Sequence, residues 1–196
     1  VFDLSYMRMG PNMVLMAAKD ADELRDMVAT GLAYDDGPVA LRYPRGAATV
    51  EPEDRAPEVL PIGKAEVVRK GEKIALVGIG KLVGYFEKAA DLLEEQLGHK
   101  VTVINARFVK PLDEDLLTRV GREHDFVFTA EDNAVQGGFG SAVDELFARA
   151  GIEKHVVAFG MPDRFVDHGT PDQLFEEIGL LPHQLAERVK EHIDAR

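Results

Sequence analysis

Short apolar runs alternate along this chain with longer segments in which apolar residues recur at helical spacing. Two such runs, residues 74–77 and 101–104, are almost wholly apolar, which is typical of strands buried on both faces of a sheet. The segments between the runs are long enough to form helical crossovers between parallel strands. The alternation therefore predicts an α/β fold with a mostly parallel sheet flanked by helices.

The alternation begins with a small first unit. Residues 13–16 and 39–43 are predicted strands, and residues 21–34 are a predicted helix. Asp20 is its expected N-cap, with Glu23 as the partner in a capping box. Two strands and one helix bury too little apolar surface to be stable alone, so we expect this unit to pack on material outside the chain.

A second, larger unit follows at residues 64–196. Its predicted strands are residues 65–68, 74–77, 101–104, 126–129 and 156–159. Its predicted helices are residues 86–97, 111–121, a segment after Gly140 that reaches Ala150, 171–178 and 182–193. This pattern predicts a four- or five-stranded, mostly parallel sheet in which residues 65–68 form an edge strand.

A polar stretch without periodicity separates the two units. Residues 47–63 contain three prolines and no helical or strand pattern, which indicates a linker. The expected organisation is therefore a small first unit within residues 1–46, a linker at residues 47–63 and a second domain at residues 64–196. Because the chain opens on Val1 without a cap or a polar tail, we expect it to be part of a longer protein.

The charge and the cysteine content of the chain exclude several classes of partner and chemistry. Lys and Arg number 23 and Asp and Glu number 35, so the formal net charge is −12. Such a chain repels phosphate backbones and anionic lipid, so we expect neither a nucleic-acid partner nor a membrane partner. Cysteine is absent, which excludes disulfides and cysteine nucleophiles within this sequence and is compatible with a cytoplasmic location.

The sequence Arg-Tyr-Pro-Arg-Gly at residues 42–46 is the strongest candidate binding site. It follows a predicted strand, where open α/β sheets place their ligand crevices. Arg42 and Arg45 could hold a phosphate, because a guanidinium presents paired donors and stays charged. Ordinary surface ion pairs in an acidic chain are the alternative, and the pattern alone leaves both interpretations open.

A glycine-rich turn at residues 137–140 follows Glu131 and precedes a predicted helix. Backbone amides at a helix N-terminus attract anions, but the spacing matches neither a Walker loop nor a dinucleotide fingerprint. We favour a tight strand-to-helix turn used for packing or subunit contact. The six histidines have no spacing typical of a metal site, so no metal ligand is assigned.

Several motifs occur together in a familiar order. They are Phe-Asp-Leu-Ser-Tyr-Met-Arg at 2–8, Asp-Gly-Pro-Val-Ala-Leu-Arg-Tyr-Pro-Arg-Gly at 36–46, Leu-Pro-Ile-Gly-Lys at 60–64, Arg-Phe-Val-Lys-Pro-Leu-Asp at 107–113, Glu-Asp-Asn-Ala with Gly-Gly-Phe-Gly at 131–140, and Pro-Asp-Arg-Phe with His-Gly-Thr at 162–170. Over its whole length the chain resembles the C-terminal part of the 1-deoxy-D-xylulose-5-phosphate synthase family of transketolase-like thiamine diphosphate enzymes. One departure is Lys81, where that family usually has a small hydroxyl residue.

The resemblance implies a reaction and a set of partners. Members of this family join pyruvate to D-glyceraldehyde 3-phosphate and release CO2, with thiamine diphosphate and Mg²⁺ as cofactors. The product feeds isoprenoid, thiamine and pyridoxal phosphate synthesis. The resemblance makes residues 1–46 the tail of a middle domain. A homodimer is implied as well, built mainly by the C-terminal domain. A fragment of another thiamine diphosphate enzyme, or a non-catalytic α/β dimerisation module, is the alternative.

The resemblance also assigns residues. Arg45 matches the family's arginine that binds the phosphate of glyceraldehyde 3-phosphate, and Arg42 and Tyr43 are weaker candidates for the same site. No catalytic, cofactor-binding or metal-binding residue of the family falls within this sequence. The family's catalytic His-Gln-Gly motif would directly precede Val1, and its cofactor motifs lie further upstream, so this piece alone is expected to be inactive.

Overall fold

The computed structural model describes residues 1–44 and 51–196. The helices are α1 (Asp3–Met7), α2 (Ala21–Ala33), α3 (Leu82–Leu97), α4 (Glu114–Glu123), α5 (Phe139–Arg149), α6 (Pro171–Glu177) and α7 (Pro182–Asp194). The strands are β1 (Val14–Ala17), β2 (Val39–Arg42), β3 (Glu66–Arg69), β4 (Ile74–Gly78), β5 (Thr102–Asn105), β6 (Phe108–Lys110), β7 (Phe126–Ala134) and β8 (Val157–Met161).

The larger sheet has five strands in the order β3-β5-β4-β7-β8. All neighbouring pairs are parallel except β3 with β5, so β3 is the antiparallel edge strand. The sheet is covered on both faces: Ile74 and Leu76 pack in the apolar layer of α3 and α7, while Ala75 and Val77 pack in that of α4 and α5. This arrangement confirms the predicted fold class and explains why β4 is apolar throughout.

A smaller sheet has the order β2-β1-β6. β1 and β2 are parallel, whereas β6 pairs antiparallel with β1, with Met16 opposite Phe108. Leu15 belongs to the same apolar layer as Val77 of the larger sheet. β6, which lies after the predicted linker, thus adds a third strand to the sheet of the first unit. This packing partner within the chain was not predicted.

The described part of the predicted linker, residues 51–63, is held against α2. Arg55 forms a two-pronged ion pair with Asp26, with nitrogen–oxygen distances of 2.9 and 2.6 Å. The backbone N–H of Leu60 donates to Thr30 Oγ1 at 2.8 Å, and the Leu60 side chain is buried. This segment has no helix or strand, as predicted, yet it is fixed by side chains of the first unit.

The predicted start of α2 is confirmed, but half of its capping box is wrong, and the predicted starts of α3 and α4 differ from the structure: α4 begins at Glu114, after its N-cap Asp113, rather than at residue 111. Asp20 caps α2 by accepting from Glu23 N at 2.8 Å, as predicted, but the Glu23 carboxylate accepts from Lys19 N rather than from Asp20 N. The capping-box prediction is therefore wrong for its second half. α3 begins at Leu82 instead of residue 86. Its N-cap, Lys81, makes no side-chain capping hydrogen bond, so the sequence carries no signal for this start.

Candidate functional site

The candidate site lies where β2 ends. β1 and β2 are parallel, and Arg42 is the last residue of β2 in register with Ala17. Tyr43 follows with an exposed side chain. Arg45, the third candidate, lies outside the described residues. The predicted position of Arg42 at the carboxyl end of a parallel strand is confirmed.

Arg42 is engaged by two carboxylates from distant parts of the sequence. Its Nη2 lies 3.1 Å from Oδ2 of Asp132 on β7, and its Nε lies 3.5 Å from Oδ2 of Asp3 at the start of α1. The three side chains are mostly buried, with 21%, 16% and 26% of their surface exposed for Arg42, Asp132 and Asp3. We call these three residues the Arg42 cluster; its two carboxylates were not predicted.

Lys81 borders the Arg42 cluster. It follows the end of β4, and its Nζ lies 3.9 Å from the centre of the Phe175 ring. Burial lowers the pKa of Lys81, whereas the carboxylates of Asp132 and Asp172 act in the opposite direction. Two cationic side chains and three carboxylates therefore share the edge at which β2, β4 and β7 end.

β7 supplies Asp132 because it is longer than predicted. It pairs with β4 as far as Ala130, so its last four residues extend past the end of β4. Successive side chains of a strand point to opposite sides. Asp132 accordingly contacts Arg42, while Glu131 and Asn133 bond to other partners and to each other, with 3.3 Å between Asn133 Nδ2 and Glu131 Oε2.

The side chain of Glu131 is hydrogen-bonded to the backbone of the glycine-rich turn at residues 137–140. Its carboxylate is fully buried and accepts from Phe139 N at 2.8 Å and from Gly140 N at 2.9 Å, at the start of α5. Burial raises the pKa of Glu131 to about 7, although these two N–H groups act to lower it. The anion that this helix N-terminus attracts is thus a side chain of the chain itself, in line with the favoured interpretation of a packing turn.

The side chain of Asn133 connects β7 to α1 through two hydrogen bonds. Its Oδ1 accepts from Leu4 N at 3.2 Å, and its Nδ2 donates to Ser5 Oγ at 2.8 Å. The α1 helix is thereby tied to β7, and Asp3 is brought to Arg42. Residues 131–133 are all polar and show no strand-like alternation, so the sequence carried no signal for this extension of β7.

A second ionic cluster joins the two units of the chain. Glu23 of α2 is buried and accepts from Arg107 Nε at 2.8 Å and from Asn105 Nδ2 at 2.6 Å. Lys19 and Glu66 complete it with a 2.7 Å ion pair. Burial raises the pKa of Glu23, while its bonds from Lys19 N and Arg107 lower it. All of these groups are paired with one another, so the cluster fixes the units together.

The described residues offer little to a metal ion. No three of their His, Asp and Glu side chains lie close enough to share one. None of the helices in residues 1–44 and 51–196 combines the length and apolar composition needed to cross a bilayer.

The amino-acid sequence is similar to that of a known domain family and of several known enzymes. The family model "Transketolase, C-terminal domain" matches residues 63–185. A 1-deoxy-D-xylulose-5-phosphate synthase of Thermomicrobium roseum is 50% identical over 188 residues, which cover 96% of this chain and 30% of that protein. The synthase of Symbiobacterium thermophilum is 49% identical over 190 residues, 97% of this chain and 29% of that protein. The chain thus spans about 30% of the length of these relatives.

A solved structure has the same fold. It is described as a split gene transketolase, an inactive beta4 tetramer, and it superposes with a TM-score of 0.85 at 32% sequence identity. The match covers 96% of this chain and 60% of that chain. The likeness therefore extends over the small sheet as well as the large one.

Proposed function

Since this chain belongs to the transketolase family, whose C-terminal domain model it matches, we propose that it forms the C-terminal part of a 1-deoxy-D-xylulose-5-phosphate synthase. The observation that carries the proposal is its 50% identity, over 96% of its length, with a relative of that name. The intact enzyme would condense pyruvate with D-glyceraldehyde 3-phosphate and release CO2, giving 1-deoxy-D-xylulose 5-phosphate. It would act in the cytoplasm.

In the intact enzyme, thiamine diphosphate would supply the electron sink that decarboxylation of pyruvate requires. The described residues do not fit the cofactor's metal ion, because none of their acidic clusters can hold one. The two carboxylates near the end of β7 are already engaged, Glu131 by backbone amides and Asp132 by Arg42. We therefore assign thiamine diphosphate and Mg²⁺ to other parts of the enzyme.

The contribution that we assign to this chain is recognition of the aldehyde's phosphate. Arg45 is its proposed ligand, since it follows β2 by three residues and carries the charge and paired donors that a phosphate requires. Tyr43 and Arg42 are proposed as weaker contacts at the same strand end. The support from the structure is the placement of Arg42 and Tyr43 at the carboxyl edge of parallel strands.

The proposal includes the organisation of the enzyme. Residues 1–46 would complete the middle domain of the synthase, residues 47–63 would link it onward, and residues 64–196 would be its C-terminal domain. We propose that the enzyme is a homodimer, which a tetrameric neighbour of the same fold supports. The N-terminal remainder of the enzyme would be the further partner of this chain.

The test is an assay of the complete gene product that carries this sequence. Formation of 1-deoxy-D-xylulose 5-phosphate from pyruvate and glyceraldehyde 3-phosphate, dependent on added thiamine diphosphate, is the expected result. The transketolase neighbour makes two-carbon transfer from a ketose phosphate the second candidate. Turnover of a ketose phosphate donor without turnover of pyruvate would favour that candidate and contradict the synthase.

A further inference from the structure

Arg42 connects elements that belong to different sheets. β2, which ends at Arg42, lies in the three-stranded sheet, whereas Asp132 lies on β7 of the five-stranded sheet. Asp3, its second partner, begins α1. All three side chains are partly buried, with 16% to 26% of their surface exposed, so solvent screens their attraction less than it would at an open surface but more than it would in the core.

The end of β2 has few other restraints. In the described part of the chain, β2 is an edge strand whose ladder neighbour is β1. Ala18 N donates to Arg42 O at 3.3 Å, so the ladder reaches this residue. The side chain of Arg42 is then held by the two carboxylates alone among the described residues. The ladder places the backbone of Arg42, and these carboxylates add a second hold on the last residue of β2 through its guanidinium.

We propose that Asp132 is a positioning residue for recognition of the substrate phosphate: through Arg42, it fixes the carboxyl end of β2 at which that phosphate binds. The inference rests on the proposed function. It changes the role given to Arg42, from a phosphate ligand to the link between a carboxylate on β7 and the strand end. Asp132 itself does not touch the substrate.

The test compares two acceptors in the complete gene product. Wild type and Asp132→Asn are assayed with pyruvate and either D-glyceraldehyde 3-phosphate or unphosphorylated D-glyceraldehyde. Asparagine has nearly the same shape as aspartate but no charge, so it weakens the hold on Arg42. We expect the KM for glyceraldehyde 3-phosphate to rise about tenfold with kcat within about twofold, and the preference for the phosphorylated acceptor to fall by the same factor.

Asp172→Asn is the matched control. Asp172, like Asp132, is a carboxylate whose charge acts on Lys81. Its hydrogen-bond partner, however, is the Tyr85 hydroxyl, at 3.4 Å. This variant removes a negative charge that acts on the same lysine and leaves Arg42 paired. We expect it to keep the wild-type preference for the phosphorylated acceptor.

A double variant tests whether Asp132 acts through Arg42. If it does, Asp132→Asn has no further effect on the acceptor preference once Arg42→Gln has been introduced, because the two changes break one contact. A merely structural role for Asp132 would lower kcat or the yield for both acceptors alike. It would not change the preference between them.

The outcomes separate the inference from the function on which it rests. An unchanged preference in Asp132→Asn, the same loss in Asp172→Asn, or additive effects in the double variant would overturn the inference. If Asp132→Asn does not fold, Asp132→Ser, which also removes the charge from Arg42, is assayed in its place. A fall of the preference supports the inference, and an unchanged preference overturns it. Arg45→Ala serves as the reference: if it also keeps the preference, the proposed phosphate site itself fails.

Discussion

Glu131 and Asp132 are neighbours in the sequence, yet β7 places their carboxylates in opposite surroundings. Glu131 is fully buried and bonded to the backbone amides of Phe139 and Gly140. Asp132 is partly exposed and paired with Arg42. A carboxyl group held by backbone amides inside the fold fixes the shape of the turn around it, whereas a carboxylate paired at the strand edge can influence what binds there. We call the first region the Glu131 turn, formed by Glu131 and residues 137–140, and compare it with the Arg42 cluster.

The largest effect on stability is expected in the Glu131 turn, from Gly140→Ala. A Cβ at this position would lie 2.6 Å from both Thr129 Oγ1 and Ala158 Cβ, so the packing of α5 on the sheet must shift. We expect the free energy of unfolding to fall by about 3 kcal/mol. Urea denaturation of the 196-residue chain measures this loss.

Gly84→Ala is the matched control for that change. Gly84 lies inside α3, and a Cβ there meets nothing within 4 Å. Because alanine is the better helix former, we expect a gain of up to about 1 kcal/mol. Equal losses in the two variants would show that the Glu131 turn is no more tightly packed than a helix surface.

The Glu131 turn should also respond to pH. The pKa of Glu131 is raised to about 7 in the folded chain, so the folded state binds its proton more strongly than the unfolded state does. Its stabilisation is therefore complete below the unfolded pKa, near 4.5, and is lost as the pH rises through 7. We expect wild type to lose on the order of 3 kcal/mol relative to Glu131→Gln over this range.

Urea denaturation of both proteins from pH 4.5 to pH 8 measures that difference. The comparison with Glu131→Gln cancels the opposite contributions of carboxylates such as Asp26, whose pKa the Arg55 guanidinium lowers. A constant difference between wild type and Glu131→Gln would mean that the carboxylate titrates alike in the folded and unfolded chain.

The smallest stability effect is expected in the Arg42 cluster. Arg42→Gln breaks two ion pairs, but all three side chains retain contact with solvent. We expect a loss of about 1 kcal/mol or less in the same denaturation experiment. A loss as large as that of Gly140→Ala would remove the distinction between the two regions and make the Arg42 cluster a structural element.

The fold could be predicted from the sequence where burial alone decides the local structure. β4 is apolar throughout, as expected for a strand that is covered on both faces, and Asp20 reveals the start of α2 because its side chain accepts from Glu23 N. By contrast, β6 is three residues long and exists through its pairing with β1. Such a strand leaves no pattern of its own in the sequence.

The candidate site could be predicted only in part for the same reason. A strand followed by two arginines places Arg42 at the carboxyl edge, which is a local inference. Its partners, Asp3 and Asp132, are distant in the sequence and are brought there by α1 and by the polar end of β7. Charged residues at the end of a strand resemble a loop, so β7 was predicted to end at residue 129 rather than at Ala134.

The most direct test of the account is the ratio of kcat/KM for glyceraldehyde 3-phosphate to that for unphosphorylated glyceraldehyde, measured in the complete gene product. We expect Arg45→Ala to lower this ratio at least about tenfold, because a charge-assisted phosphate contact is lost. Arg149→Ala, which removes an exposed arginine paired with Glu114 on the far helices, is expected to leave it unchanged. A wild-type ratio in Arg45→Ala would contradict the claim that this chain recognises the substrate phosphate.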